Sequence, residues 1–193
     1  MISYIKKHKI LFLVSVVVLF LILIVFNFKN VPGQLSPTLS PVQQSLFWDN
    51  FKPGDSQKAD VVGQLGQPIS EKTVNGQAVD DFKSNSPTRN HEVFFNKNTS
   101  VFFRQIVAYN DKLSIQDIHA KYGDTENVLY GPDSLAGFYL YVYPDKGFAY
   151  LGNKKSGTVL EVWYFKPVNV FQDFIGEVNN WIQGYSVKQT VSQ

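Results

Sequence analysis

The residues able to do chemistry are few. Histidine occurs three times, at His8, His91 and His119, and cysteine not at all, which removes thiol nucleophiles, disulfides and thiolate metal sites. No histidine has a second ligand at helical spacing, so no zinc-type pattern is present. The one catalytic cluster the spacing allows is His119 with Asp124, Glu126 or Asp133, a base beside acids of the hydrolase type. No G-x-S-x-G elbow supplies it with a serine, and its acids occupy a turn where solvated carboxylates are ordinary. GNKKSGT at 152–158 imitates a phosphate loop. It lacks the lysine after the second glycine and runs into a strand, so it reads as a hairpin turn. Asp80-Asp81, and Asp55 with Asp60, miss the spacing of a calcium loop, while Asn98-Thr99-Ser100 fits a glycosylation acceptor. No cofactor, no metal and no enzymatic activity are expected.

Binding is the stronger expectation. The chain has 16 Phe, 10 Tyr and 3 Trp among 193 residues, a composition that favours sheet and supplies the side chains that dominate interfaces. In GFYLYVY at 137–143, Phe138, Leu140 and Val142 alternate with Tyr139, Tyr141 and Tyr143, so one strand face is aliphatic and the other phenolic. Phe102, Arg104 and Ile106 alternate with Val101, Phe103 and Val107, and Glu161, Trp163 and Phe165 with Leu160, Val162 and Tyr164. Arg104 and Glu161 lie 57 residues apart and are expected at equivalent places. Phe102, Arg104, Ile106, Tyr139, Tyr141, Tyr143, Glu161, Trp163 and Phe165 are therefore the expected partner-binding residues, displayed on an uncovered sheet face.

The elements that must position them begin with an anchor. ILFLVSVVVLFLILIVF, residues 10–26, is interrupted only by Ser15. At roughly 0.3 to 0.6 kcal/mol per apolar residue the run favours membrane insertion by about 5 to 10 kcal/mol. With Phe28 the span 10–28 reaches across a bilayer. Lys6, Lys7 and Lys9 precede it and only Lys29 follows closely, so residues 1–9 are expected in the cytoplasm and the remainder outside the plasma membrane. A cleaved signal peptide is the rival reading, but NFKNVPGQ offers no Ala-x-Ala-like site. Residues 29–46, with Pro32, Pro37 and Pro41, form a Pro/Ser-rich linker reaching up to roughly 50 Å when extended. Beyond residue 30 the chain carries 14 basic and 16 acidic side chains, so nothing outside favours a phosphate backbone and nucleic acid is not an expected partner.

Residues 47–185 are expected to form one exported α+β domain, followed by a tail at 186–193. Two tandem repeats, about 51–109 and 112–166, each supply a short helix and antiparallel strands to a single sheet. Leu65-Gly66 and Tyr122-Gly123 end the two helices, and turns begin at Asn96 and Asn153; each pair is 57 residues apart. Asp55 or Ser56, and Ser114 with Asp117, are the expected N-caps. The C-terminal amphipathic helix, about 169–183, is expected to start at an Asn169 cap and to carry Phe171, Phe174, Ile175, Val178 and Ile182 on one face, with a stop at Gly184.

GDSQKADVVGQLGQP, with Gly54, Ser56, Leu65, Gly66 and Pro68, resembles the "G-x-(S/T)-x-x-x-V-x-x-x-L-G-x-P" opening of beta-lactamase-inhibitor-protein-like domains, a superfamily that includes the SmpA/OmlA outer-membrane-assembly lipoproteins. The resemblance covers roughly 51–165 and implies an α+β fold whose sheet presents a concave aromatic surface to another protein. This chain has neither the disulfides of the inhibitors nor the lipidated cysteine of the lipoproteins. The expected function is thus a membrane-anchored, non-catalytic module binding a protein or envelope component. The alternatives are an extracytoplasmic hydrolase around His119 and a purely structural envelope scaffold.

Overall fold

The computed structural model describes Trp48 and residues 50–188, all of one unit spanning Leu46–Gln193. The expected cytoplasmic tail, anchor and linker lie outside the described residues. Among the described residues no helix is long and apolar enough to cross a membrane.

Among the described residues the fold is α+β, with three α-helices and one eight-stranded antiparallel sheet. Helix α1 is Lys58–Leu65, followed by strands β1 Ser70–Val74, β2 Gln77–Phe82, β3 His91–Asn96 and β4 Thr99–Ile106. Helix α2, Ile115–Tyr122, is followed by β5 Val128–Leu129, β6 Tyr139–Tyr143, β7 Phe148–Asn153 and β8 Thr158–Phe165, and α3 is Phe171–Trp181. The sheet order is β1-β2-β3-β4-β8-β7-β6-β5. Each half is a helix and a four-stranded meander, and the halves meet where β4 pairs with β8, Arg104 opposite Trp163 at the centre of the register.

Local geometry recurs along the chain. The N-caps are Gln57 and Ser114, whose N–H groups donate to Asp60 and Asp117 at 2.9 Å. Asp55 and Ser56, expected at the first cap, lie in the turn before it. Gly66 (φ 85°) and Gly123 (φ 79°) close the helices by donating to the Val62 and His119 carbonyls; only glycine adopts such backbone without strain. Each N-cap bridges to the start of a last strand, Gln57 to Thr99 and Ser114 to Thr158. The pairing also shifts register at corresponding places, Phe94/Phe95 and Leu151/Gly152, leaving Val101 in β4 and Leu160 in β8 as extra residues. The second hairpin turn, between Asn153 and Thr158, is two residues longer than that between Asn96 and Thr99. A 57-residue offset therefore does not carry over into the last strands. Arg104 is not equivalent to Glu161; the two are neighbours that bond one another.

Both sheet faces are covered. On one, Val61 of α1 and Ile115 and Ile118 of α2 pack with Phe82, Phe95, Phe103, Tyr150 and Val162. On the other, α3 places Phe174, Val178 and Trp181 over Phe94, Phe102, Val142, Trp163 and Phe165. Trp181 stacks on Phe102 at 4.7 Å, Phe174 meets Phe165 at 4.5 Å, and Tyr185 meets Trp163 edge-on at 5.2 Å. Burying three such helix side chains stabilises the docked helix by about 1.5 to 3 kcal/mol each. The helix starts later than expected, its N-cap being Val170 instead of Asn169, and Ile182 is its C-cap.

The open aromatic face is accordingly corrected. Phe102, Glu161, Trp163 and Phe165 are buried on the α3 side, where Arg104 is half-buried; Ile106 is buried too. Tyr139, Tyr141 and Tyr143 belong to the opposite face, among the residues packed with α1 and α2. Alternation gave the parity within each strand, but not the parity between strands or the helix that would land on them. Trp163→Ala should lower unfolding free energy by about 3 to 5 kcal/mol in chemical denaturation, the cost of a large core truncation; a loss below about 0.5 kcal/mol would mark a surface residue.

Candidate functional site

Charged side chains form a line along the α3 side of the sheet, one from each of five adjacent strands. Lys72 of β1 bridges Asp81 of β2 at 2.9 Å and Glu92 of β3 at 2.7 Å. Arg104 of β4 donates to Glu92 at 2.9 Å and, through Nε and Nη2, to both oxygens of Glu161 in β8 at 2.7 Å. Glu161 is 1 % exposed and also accepts from Arg89 and from Trp163 Nε1. Burial opposes its charge, yet the two guanidinium groups hold its carboxyl below the usual range. Every lone pair of this carboxylate is directed at a framework donor, so the network is structural and ties the halves together. Glu161→Gln should cost about 3 kcal/mol, because Arg104 then stays half-buried with an incomplete partner. Glu71→Gln at the exposed Lys58 pair should cost under about 1 kcal/mol.

His119 does meet one expected acid. Its Nδ1 lies 3.0 Å from Asp124 Oδ1 and its Nε2 3.2 Å from the Tyr150 hydroxyl. Glu126 and Asp133 are exposed and neither bonds His119. Tyr150 is fully buried, and that burial pushes its hydroxyl well above the usual range. The cluster therefore presents to solvent an imidazole edge and a carboxylate that is 81 % exposed, with no nucleophile. Among the described residues no group of three or more His, Asp or Glu side chains is placed to hold a metal ion.

His91 is buried against Trp48, ring centroids 4.7 Å apart, and its Nδ1 accepts the Ile106 N–H at 3.0 Å. Desolvation lowers its pKa from 6.5 to about 4, against a smaller opposing pull from Asp111. The unfolded chain therefore takes up the proton first. His91 costs no stability above pH 6.5 and removes about 3 kcal/mol between pH 6.5 and 4. In denaturation at pH 7 and pH 4.5, His91→Asn, which keeps an acceptor for Ile106, should narrow the difference between the two pH values; an unchanged difference would contradict this.

The concave feature with converging charge lies where the halves meet. A groove of about 410 Å³ is bounded by the turn before α1, the end of α2, the β6–β7 turn and the end of β8. Trp48 N–H donates to the Tyr164 hydroxyl at 2.9 Å, which in turn donates to Gln105 at 3.1 Å. Trp48 lies parallel to Tyr164 and edge-on to Phe51, and Tyr122 stacks on Phe148 at 4.1 Å. These rings make an apolar floor. Gly54 (φ 95°) turns the chain by donating to the Ser100 carbonyl at 2.7 Å. The Lys166 stem lies over it, its Cδ 3.4 Å from where a Cβ would stand. Gly147 (φ 61°) lets the β6–β7 turn close on β8, where a Cβ would collide with the Phe165 carbonyl.

Lys52, Lys146 and Lys166 rim this floor, with Asp55 as the acid in the lining. Lys146 pairs with Asp145 at 2.7 Å; Lys52 and Lys166 form no ion pair within the described residues. A second, slightly larger groove of about 470 Å³ lies under the β4–α2 loop beside the exposed Tyr109, but its lining carries one charged side chain, Lys112. The junction groove was missed in the sequence, although a signal existed. Lysine lies next to or one residue from an aromatic at Phe51-Lys52, Lys121-Tyr122, Lys146-Gly147-Phe148 and Phe165-Lys166, the last three at element ends.

No family model matches the chain, and no curated protein matches it. Among solved structures it is similar to a DUF4309 family protein, YjgB, from Bacillus subtilis subsp. subtilis str. 168, at 16 % identity and a TM-score of 0.44, over 64 % of this chain and 83 % of that one.

Proposed function

We propose that the chain is a single-pass, membrane-anchored protein whose exported domain is a non-catalytic binding module, and that its envelope partner seats in the junction groove. The anchor rests on the apolar run 10–26 and its lysine-rich leading flank. The observation that carries the binding role is the convergence of Lys52 and Lys166, without ion-pair partners among the described residues, over an apolar floor at the meeting of two repeats. Small-ligand sites favour such junctions, in concavities of this size with a few converging polar groups. The aromatic sheet faces, being core, have no part in this reading. Neither does His119, whose partners, Asp124 and the buried Tyr150, supply no nucleophile at the surface.

Two experiments test it. Because the chain has no cysteine, Ser3→Cys and Ser156→Cys report topology directly. A membrane-impermeant maleimide should label Cys at 156 in intact cells and Cys at 3 only after permeabilisation; the reverse would overturn the orientation. A photo-crosslinking residue at position 52 should give an adduct with envelope material that one at Tyr109, 98 % exposed beside the other groove, does not. Equal adducts at both would remove the groove from the account.

A further inference from the structure

The chemistry of the junction groove identifies a ligand class, an inference that rests on the groove being the binding site. We propose that it takes a phosphorylated sugar, with lysine ammonium groups on the phosphate and the carbon skeleton over the ring-lined floor.

Charge is the first argument. Residues 31–193 carry 14 basic against 16 acidic side chains, so the domain's background is slightly acidic, yet three lysines line the groove against Asp55 and the Asp145 partner of Lys146, which leaves Lys52 and Lys166 as the lining cations without an ion pair among the described residues. The local field is reversed and selects an anion. The kind of cation is the second argument. All are lysines, compact charges with three rotatable donors, which suit the tetrahedral oxygens of phosphate; a planar carboxylate is better matched by the arginine fork, absent from the lining.

The pairing of the sheet separates a sugar from an acidic peptide. Peptides in grooves beside sheets gain much of their affinity by adding a strand to a free edge. Here β7 is paired on both sides, with β6 and β8, and β8 with β7 and β4, so no ladder is open. Recognition must come from side chains and from ring surface. The floor is fixed by the Trp48–Tyr164–Gln105 hydrogen bonds, so little is spent on ordering it. A volume of about 410 Å³ accommodates one or two sugar units.

The test uses the full-length chain in micelles of an uncharged detergent. Isothermal titration and amide shifts of Gly54 and Gly147 are followed with glucose 6-phosphate, glucose, inorganic phosphate and a glutamate-rich hexapeptide. Glucose 6-phosphate should move both glycine amides and bind at least about ten-fold more tightly than the other three. Raising salt from 50 to 200 mM should weaken it several-fold. Lys52→Gln with Lys166→Gln, both exposed and neutral for folding, should weaken it at least about ten-fold at unchanged melting temperature. Binding of the hexapeptide at the same amides with no binding of the sugar phosphate would overturn the ligand class and leave the groove standing. Inorganic phosphate binding as tightly as the sugar phosphate would overturn the sugar part. No shift with any probe would overturn the inference, while the crosslinking comparison between positions 52 and 109 judges the groove independently.

Discussion

The bond between Arg104 and Glu161 across the β4–β8 pair holds the rest of this domain in place. Two four-stranded meanders, each backed by one short helix, have little means of standing alone, since helices of eight residues are unstable without packing. Pairing β4 with β8 makes one sheet of eight strands with two faces large enough to form cores. The seam places a carboxylate in the interior, and such a charge is tolerable only when fully bonded. Arg104, Arg89 and the Trp163 indole satisfy it. Trp163 thereby links the polar network to the apolar layer under α3, and polar and apolar interactions fix the same register.

The groove is a consequence of that seam. Its walls come from the turn that starts the first half, from the last residue of α2, from the β6–β7 turn and from the end of β8. None of these lies close to the others in sequence; only the antiparallel joining of the two halves brings them to one place. Lysines of those segments then rim the groove over rings that belong to the core beneath. The faces of the sheet serve stability, which leaves the rim of the seam for the recognition proposed above.

Much of the architecture was legible in the sequence. The helix stops at Gly66 and Gly123, the Ser114 cap, the hairpins, the apolar stripe of α3 and the α+β class follow from local chemistry, and local chemistry decided them. The strand Ser70–Val74 went unread because SEKTV is a polar edge strand with no apolar alternation. The Asn75-Gly76 pair after it, both at positive φ, is nonetheless a strong hairpin signal. What could not be read was tertiary. Period-two patterning marks two faces on a strand without saying which helix covers which, so Phe102, Trp163 and Phe165 looked available for a partner until Trp181 and Phe174 occupied them. The 57-residue spacing of Arg104 and Glu161 suggests equivalent places, where the longer second hairpin makes them partners. The groove lysines went unread because they sit in turns and just past strand ends, where lysine is unremarkable one position at a time.

The central claim is that the seam is the sealed centre of the domain and that recognition happens at its rim. Hydrogen exchange of the Trp163 indole N–H, followed by NMR in the full-length protein, tests it most directly. The account predicts exchange only through global unfolding, with a protection free energy equal to that from denaturation and lost in Glu161→Gln. Exchange within seconds at neutral pH would mean that the sheet face beneath α3 is open, and the division of labour between face and seam would be wrong.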